Sequence, residues 1–365
     1  MKLVTRYLLS NLGRPWVYVM AGFSIVAVLV DLFGNFVDFM ESGTPLGDIL
    51  FYYVRLLSTY LPYLLPISLL LALLYALWQL GKNSELTAMR ASGLSLTQLI
   101  LPYLVVGLAA TLALLAINEL YNPEAMYRNR QFIELQGSKH AGQTCLAPNL
   151  AYKNTPGRRI WRINLFDPRP SSSFEMLGVN LTQQRPDGSD EFRMDAGRAR
   201  WVDGHWWFEN VETRYFDSNN DPAGPIESSP SLEMTMLSET PKAFINEIKN
   251  SNERSSREIL QFIETHQGIS KETRNRLMVD FHYRLAAPWL CLIVILVGVP
   301  FGLHTGRRGM GLGILYALLA FFGYYILMGL GLAYGKQQMI PAAAAGWLPD
   351  AVFFVLGLFL LRRIR

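Results

Sequence analysis

Residues 99–130 read LILPYLVVGLAATLALLAINELYNPEAMYRNR, and the fold turns on the change of character inside them. Up to Leu120 the run is apolar, with Glu119 its one charge. About 20 such residues in a helix cross roughly 30 Å of hydrocarbon. After Asn122-Pro123 the charges begin, with Glu124, Arg128 and Arg130 in quick succession. Residues 121–283 carry 20 basic and 22 acidic side chains, and the rest of the chain only 13 and 7. The block nets −2 and its surroundings +6, which makes the +4 of the whole. Across all 365 residues 17% are charged and 51% hydrophobic, against about 25% charged in ordinary soluble domains. A polar domain is therefore inserted between two very apolar parts. Fibrous, disordered and disulfide-scaffold classes are excluded, and a wholly soluble enzyme does not fit.

Working outward, further spans are predicted at 16–36 and 50–80 before the polar block and at 285–303, 310–334 and 342–361 after it. The layout is three plus three. Basic residues gather at one set of ends: Lys2, Arg6, Arg14, Lys82, Arg90, Arg307, Arg308, Arg362, Arg363 and Arg365. The opposite short loops hold Arg55 and Lys336 beside Asp38, Glu41 and Asp48. Basic flanks resist translocation, so both termini are expected in the cytoplasm and the polar block on the far side. The first run reads as a retained anchor, because Asp31 and Phe33 follow Val30 where a cleavage site would stand. The second is too long for a simple span, and its outer end, with Tyr52, Tyr53 and Arg55, belongs at the interface. Pro62 and Pro66, one turn apart within it, predict a kink that acts either as a fixed bend or as a hinge.

Within the polar block the sequence after Asn122-Pro123 reads as turning from helix to strand. Residues 160–166, IWRINLF, carry a half-buried strand pattern, and Pro186-Asp187-Gly188 and Asp203-Gly204 are turn signals. A β sandwich or jelly roll is expected at 121–253. Trp161, Trp201, Trp206, Trp207, Tyr215 and Phe216 either fill its core or line a groove for acyl chains. His140, His205, His266 and His282 show no metal or nucleophile spacing, and Cys145 and Cys291 predict neither a disulfide nor a metal site. A helical connection follows at 254–283. Ser255 and Glu258 have capping-box spacing, Ile259, Leu260 and Ile263 share a face, Gly268 ends that helix and Ser270 begins the next. Residues 1–120 and 284–365 then hold the spans.

Between spans two and three lies 81–93, GKNSELTAMRASG. Ser84 is placed to cap a short helix, Glu85 suits its N-terminal dipole, and Gly93 provides the left-handed stop. Leu86 and Met89 share a face, which either docks into a groove of a cytoplasmic protein or rests on the membrane. Gly331 to Lys336 echoes a phosphate loop with the wrong spacing; Gly298/Gly302 and Gly331/Gly335 instead suit close helix packing. Any ATP-driven work must come from another chain.

Four stretches carry a resemblance: 84–95 (SELTAMRASGLS), 199–206 (ARWVDGHW), 281–288 (FHYRLAAP) and 345–350 (AGWLPD). With the three-plus-three layout, the chain resembles the lipopolysaccharide-export permeases of the LptF/LptG type over nearly its whole length. The resemblance implies an α-helical membrane protein with six transmembrane helices and an inserted periplasmic β jelly-roll domain, in a Gram-negative inner membrane. It implies a non-catalytic subunit without a cofactor of its own, ATP and Mg being used by a cytoplasmic ABC ATPase dimer. The other implied partners are a second related permease, a single-span LptC-like subunit, a periplasmic LptA-like bridge and lipopolysaccharide itself, with no nucleic acid. Ser84, Glu85, Leu86, Met89, Arg90 and Gly93 would form the ATPase-coupling helix, and spans one and five the seams of a lipid cavity. Arg55, Arg128, Arg130 and Arg284 are candidates for lipid phosphate, or else snorkel and pair with Glu119 and Glu124. Asp31, Asp38 and Glu41 depart from the basic residues such permeases carry at the outer end of span one, which points to the partner permease or to bridging divalent cations there. The competing readings are a membrane enzyme acting on lipids through Asp280, His282 and Arg284, a permease for another lipid or lipoprotein, and a sensor or scaffold.

Overall fold

The computed structural model describes residues 2–141, 147–168, 174–266, 269–304 and 310–363. Cys145, Gly268, Arg307, Arg308 and Arg365 lie outside them. The chain forms two compact units, one of 1–132, 251–259 and 270–365, the other of 133–250 and 260–269.

In the first unit, α1 (Lys2–Glu41), α2 (Leu46–Lys82), the short α3 (Glu85–Ala91) and α4 (Leu96–Leu120) precede the insertion. After it come α8 (Lys271–Ala286), α9 (Leu290–His304), α10 (Met310–Lys336) and α11 (Ala342–Arg362). Among the described residues six helical stretches are long and apolar enough to cross a membrane, three on each side of the insertion. The fourth of them joins α8 and α9 through one 3-10 turn at Pro288 and is 33 residues long. Proline fits that first turn because no donor is needed there. The helix after Tyr121 was not expected: α5 (Asn122–Ala141) is helical where strands were predicted. Pro123 sits in its first turn, and Glu124 pairs with Arg128 one turn on at 2.7 Å.

Close approach of small residues builds the membrane core. A Cβ on Gly298 would come 2.9 Å from Leu70, and one on Gly302 2.6 Å from Leu77, so α9 lies tightly along α2. Gly335 meets Ala345 of α11, and Gly346 meets the backbone of His282 and Tyr283. Both predicted small-residue pairs thus sit in helix contacts, as packing in lipid demands. The buried cluster around them contains Leu8, Leu12, Leu69, Leu73, Leu77, Tyr103, Ile295 and Tyr324.

The second unit is one antiparallel sheet of six strands. They are β1 (Ala147–Asn154), β2 (Arg159–Phe166), β3 (Phe174–Gln184), β4 (Asp190–Val202), β5 (His205–Tyr215) and β6 (Glu227–Met234). The expected inserted β domain is present, and each strand pairs with the next in sequence. Asp203 and Gly204 both have positive φ, at 51° and 84°, and form the two-residue loop joining β4 to β5. That is the backbone twist a tight hairpin needs. One face carries the core: Trp161 opposes Leu181, which opposes Met194, and Ile163, Val179, Ala196 and Val211 form the next row. Helix α6 (Pro241–Ile248) lays Phe244 on this face, 5.0 Å from the ring of Trp161 and 5.8 Å from that of Trp206. The aromatics divide by strand alternation. Trp161 and Trp206 are fully buried core, whereas Trp207 and Tyr215 point outward.

The segment returning to the membrane helices keeps its predicted caps. Ser255 and Glu258 exchange backbone and side-chain hydrogen bonds at the start of α7 (Ser256–Thr265), and Ser270 accepts from the Thr273 amide at the start of α8. Ile259 is buried but Leu260 is exposed, so the predicted shared face is narrower than expected.

Candidate functional site

Helix α3 and its flanks, at one end of the membrane unit, form the first polar feature. Its stop is a full Schellman arrangement: Gly93 at φ +90° donates to the Arg90 carbonyl at 3.0 Å, and Leu94 donates to the Met89 carbonyl at 3.3 Å. Its start differs from expectation. Ser84 stands at the cap position with a left-handed backbone, φ 58°, and its hydroxyl caps nothing. Only its carbonyl takes part, accepting from Ala88 at 3.0 Å. The orientation of α3 is the more telling result. Leu86, Met89 and Leu94 pack on the membrane core, so the apolar face, which the sequence left open between a partner's groove and the membrane, lies against the protein itself. What α3 exposes is Thr87, Ala88, Arg90 and Ala91.

Glu85 is held from two sides. Tyr7 of α1 donates its hydroxyl to Oε2 at 2.5 Å, and Asn83 donates to Oε1 at 3.0 Å. These donors, Tyr7 first, hold the Glu85 carboxyl below its ordinary range. Nearby, the Lys82 ammonium lies 5.0 Å from the centre of the Trp78 ring. Tyr7 is a residue that sequence reasoning missed, since nothing local connects positions 78 apart.

The opposite end of the unit is a network of charge. Arg130 holds Glu253 with two parallel hydrogen bonds, 2.6 and 2.8 Å. Arg284 donates to the carbonyls of Asn118 and Asn252. Asp280 accepts from Ser251 at 2.5 Å and pairs with Lys336 at 2.8 Å. Glu119 accepts from the backbone amides of Ser256 and Arg257, capping α7 with a carboxylate where the helix dipole favours one. Segment 251–257 is thereby tied to α4, α5 and α8.

This geometry separates the four predicted arginines. Arg130 and Arg284 are engaged with Glu253 and with backbone carbonyls. Arg128 makes an exposed pair with Glu124 in its own helix, and Arg55 donates to the Phe51 carbonyl one turn back. Arg284 does not pair with Glu119, and Asp280 and Arg284 engage separate partners. In α1, Asp31 accepts the Tyr52 hydroxyl on both oxygens, at 3.0 and 3.2 Å. Tyr52 in turn packs on Phe39, Tyr53 and Phe132. Pro62 and Pro66 lie inside an unbroken α2.

Among the described residues, six apolar helices arranged three and three, an inserted antiparallel β domain and the short exposed helix α3 define a multi-pass membrane protein. The chain belongs to the family of the lipopolysaccharide export system permease LptF/LptG, whose profile matches residues 6–363. Among curated proteins no individual sequence matches it. Membership carries transport of lipopolysaccharide as the role of the family and an inner-membrane setting.

Proposed function

We propose that this chain is one of two related permeases in an ATP-driven exporter that draws lipopolysaccharide from the inner membrane and passes it to a periplasmic bridge. In this reading an ABC ATPase dimer docks on α3 and hydrolyses ATP with Mg, and an LptC-like subunit and LptA-like bridge receive the lipid. Both termini lie in the cytoplasm and the β domain in the periplasm. The observation that carries the reading is the exposed face Thr87, Ala88, Arg90 and Ala91, seated on the core by Leu86 and Met89. A surface helix fixed from below is suited to receive a push without folding away. Lys2, Arg6, Arg14, Lys82, Arg90, Arg362 and Arg363 fall at the ends that share its side, which supports the orientation.

For the lipid phosphates, Arg55 and Arg128 are the better contacts. Their present bonds are local and, for Arg128, exposed, so exchange for a phosphate costs little. Arg130 and Arg284 serve the segment 251–257 instead. Native mass spectrometry of the protein gently extracted from its own membrane tests the whole reading. The expected particle holds this chain, a related permease, two ATPase copies and bound glycolipid, and Glu85→Ala depletes it of ATPase. A chain that never captures an ATPase across several mild detergents overturns it.

A further inference from the structure

The hydroxyl of Tyr7 joins two elements that lie far apart in the sequence. It comes from the first turns of α1 and reaches the first residue of α3, 78 positions on. Its ring is 44% exposed, so the contact is not a by-product of burying an aromatic side chain. Around it the base of α1 is firmly seated. Leu8 and Leu12 are almost fully buried in the cluster against which Leu86 and Met89 pack, and Trp16 donates to Ser68 of α2 at 3.1 Å. Beyond Trp16 the character of α1 changes. Val17, Tyr18, Ile25, Val26, Val30, Phe33 and Val37 are all more than half exposed. Helix α1 is 40 residues of continuous helix, about 60 Å at 1.5 Å per residue, seated at the end that touches α3 and packed again at Phe39, with an exposed stretch between. A displacement at its base is carried along the continuous helix to the far end, where Asp31 and Phe39 meet Tyr52.

We propose that Tyr7 is a positioning residue for coupling: it holds the Glu85 carboxylate and, through that bond, makes α1 follow α3 when a partner docks. This rests on the reading of α3 as the ATPase-docking helix. The bond is charge-assisted, with an O–H donor on a carboxylate, which is the stronger kind. Glu85 has one oxygen for Tyr7 and one for Asn83, so the same carboxylate ties α1 to α3 and to the turn before it.

The test uses the complete exporter in proteoliposomes, with Tyr7→Phe, Glu85→Gln and the double variant, since Phe keeps the ring and removes only the donor. Tyr7→Phe should still capture the ATPase while lipid-stimulated ATP hydrolysis and lipid release fall by roughly ten- to a hundredfold, the effect of one lost hydrogen bond to a charged group. In the Glu85→Gln background Tyr7→Phe should add nothing, because the two act through one bond. The pH profile gives a signature that a structural role does not. A carboxyl held low keeps its contact above the ordinary carboxylate range and loses it as pH falls through the lowered value. Without Tyr7 the acid limb of transport should move to higher pH. An unshifted, superimposable profile, or independent losses in the double variant, overturns the proposal. Glu85→Ala with full ATPase capture overturns the docking reading itself and is told apart by that capture alone.

Discussion

The two compact units build their cores in opposite ways. In the β unit the interior is large and aromatic: Trp161, Phe166, Trp206 and Phe208 from the strands converge on Phe244 of α6. In the membrane unit the decisive positions are the smallest residues available, Gly298 and Gly302 against α2, Gly335 and Gly346 where α10 and α8 meet α11. The solvent explains the difference. Water drives apolar area together, so more area in the β unit means more stability. Lipid gives no such drive, and helices there gain by letting backbones approach and van der Waals contacts accumulate. The same substitution, large to small or small to large, should therefore have opposite meanings in the two units.

The strongest way to break this contrast is Phe244→Ala, which removes a fully buried ring touching Tyr152, Trp161, Phe166 and Trp206. It should destabilise the β unit by about 3–5 kcal/mol. Tryptophan fluorescence during urea unfolding would show it as an earlier transition, and an unchanged midpoint would mean Phe244 is not the centre of that core. Next is Gly346→Ala in the membrane unit. The added Cβ comes 2.8 Å from backbone carbon of His282, which has no rotamer to change, so a loss of about 1–3 kcal/mol is expected as lowered thermal stability in detergent. Smallest is Gly298→Ala, where the obstacles are the methyl ends of Leu70 and Leu73. These can turn aside, and the cost should stay below about 1 kcal/mol. Equal losses at Gly298 and Gly346 would show that backbone proximity does not set the cost of crowding.

The candidate site was legible to very different degrees. The turn at Asp203-Gly204, the caps at Ser255 and Ser270, the stop at Gly93 and both small-residue pairs could be read because each is a local rule acting within a few residues. The helix after Pro123 was misread, since proline signals a break inside a helix and a start at its edge with the same letter. What covers the apolar face of α3 was left open for a related reason. Leu86 and Met89 define an apolar stripe, but a stripe does not say whether its cover is a partner or the protein's own core.

What the sequence alone determined is the architecture: six spans, three and three, around one polar insertion, because hydrocarbon thickness and backbone hydrogen bonding leave a long apolar segment no alternative. What tertiary structure decided is which charges are spoken for. Glu253 takes Arg130, two carbonyls take Arg284, and Tyr7 takes Glu85. These pairs join residues up to 166 positions apart. Charge identity is written in the sequence, but a hydrogen bond needs its donor within about 3 Å of the acceptor, and only the packed helices bring the two that close.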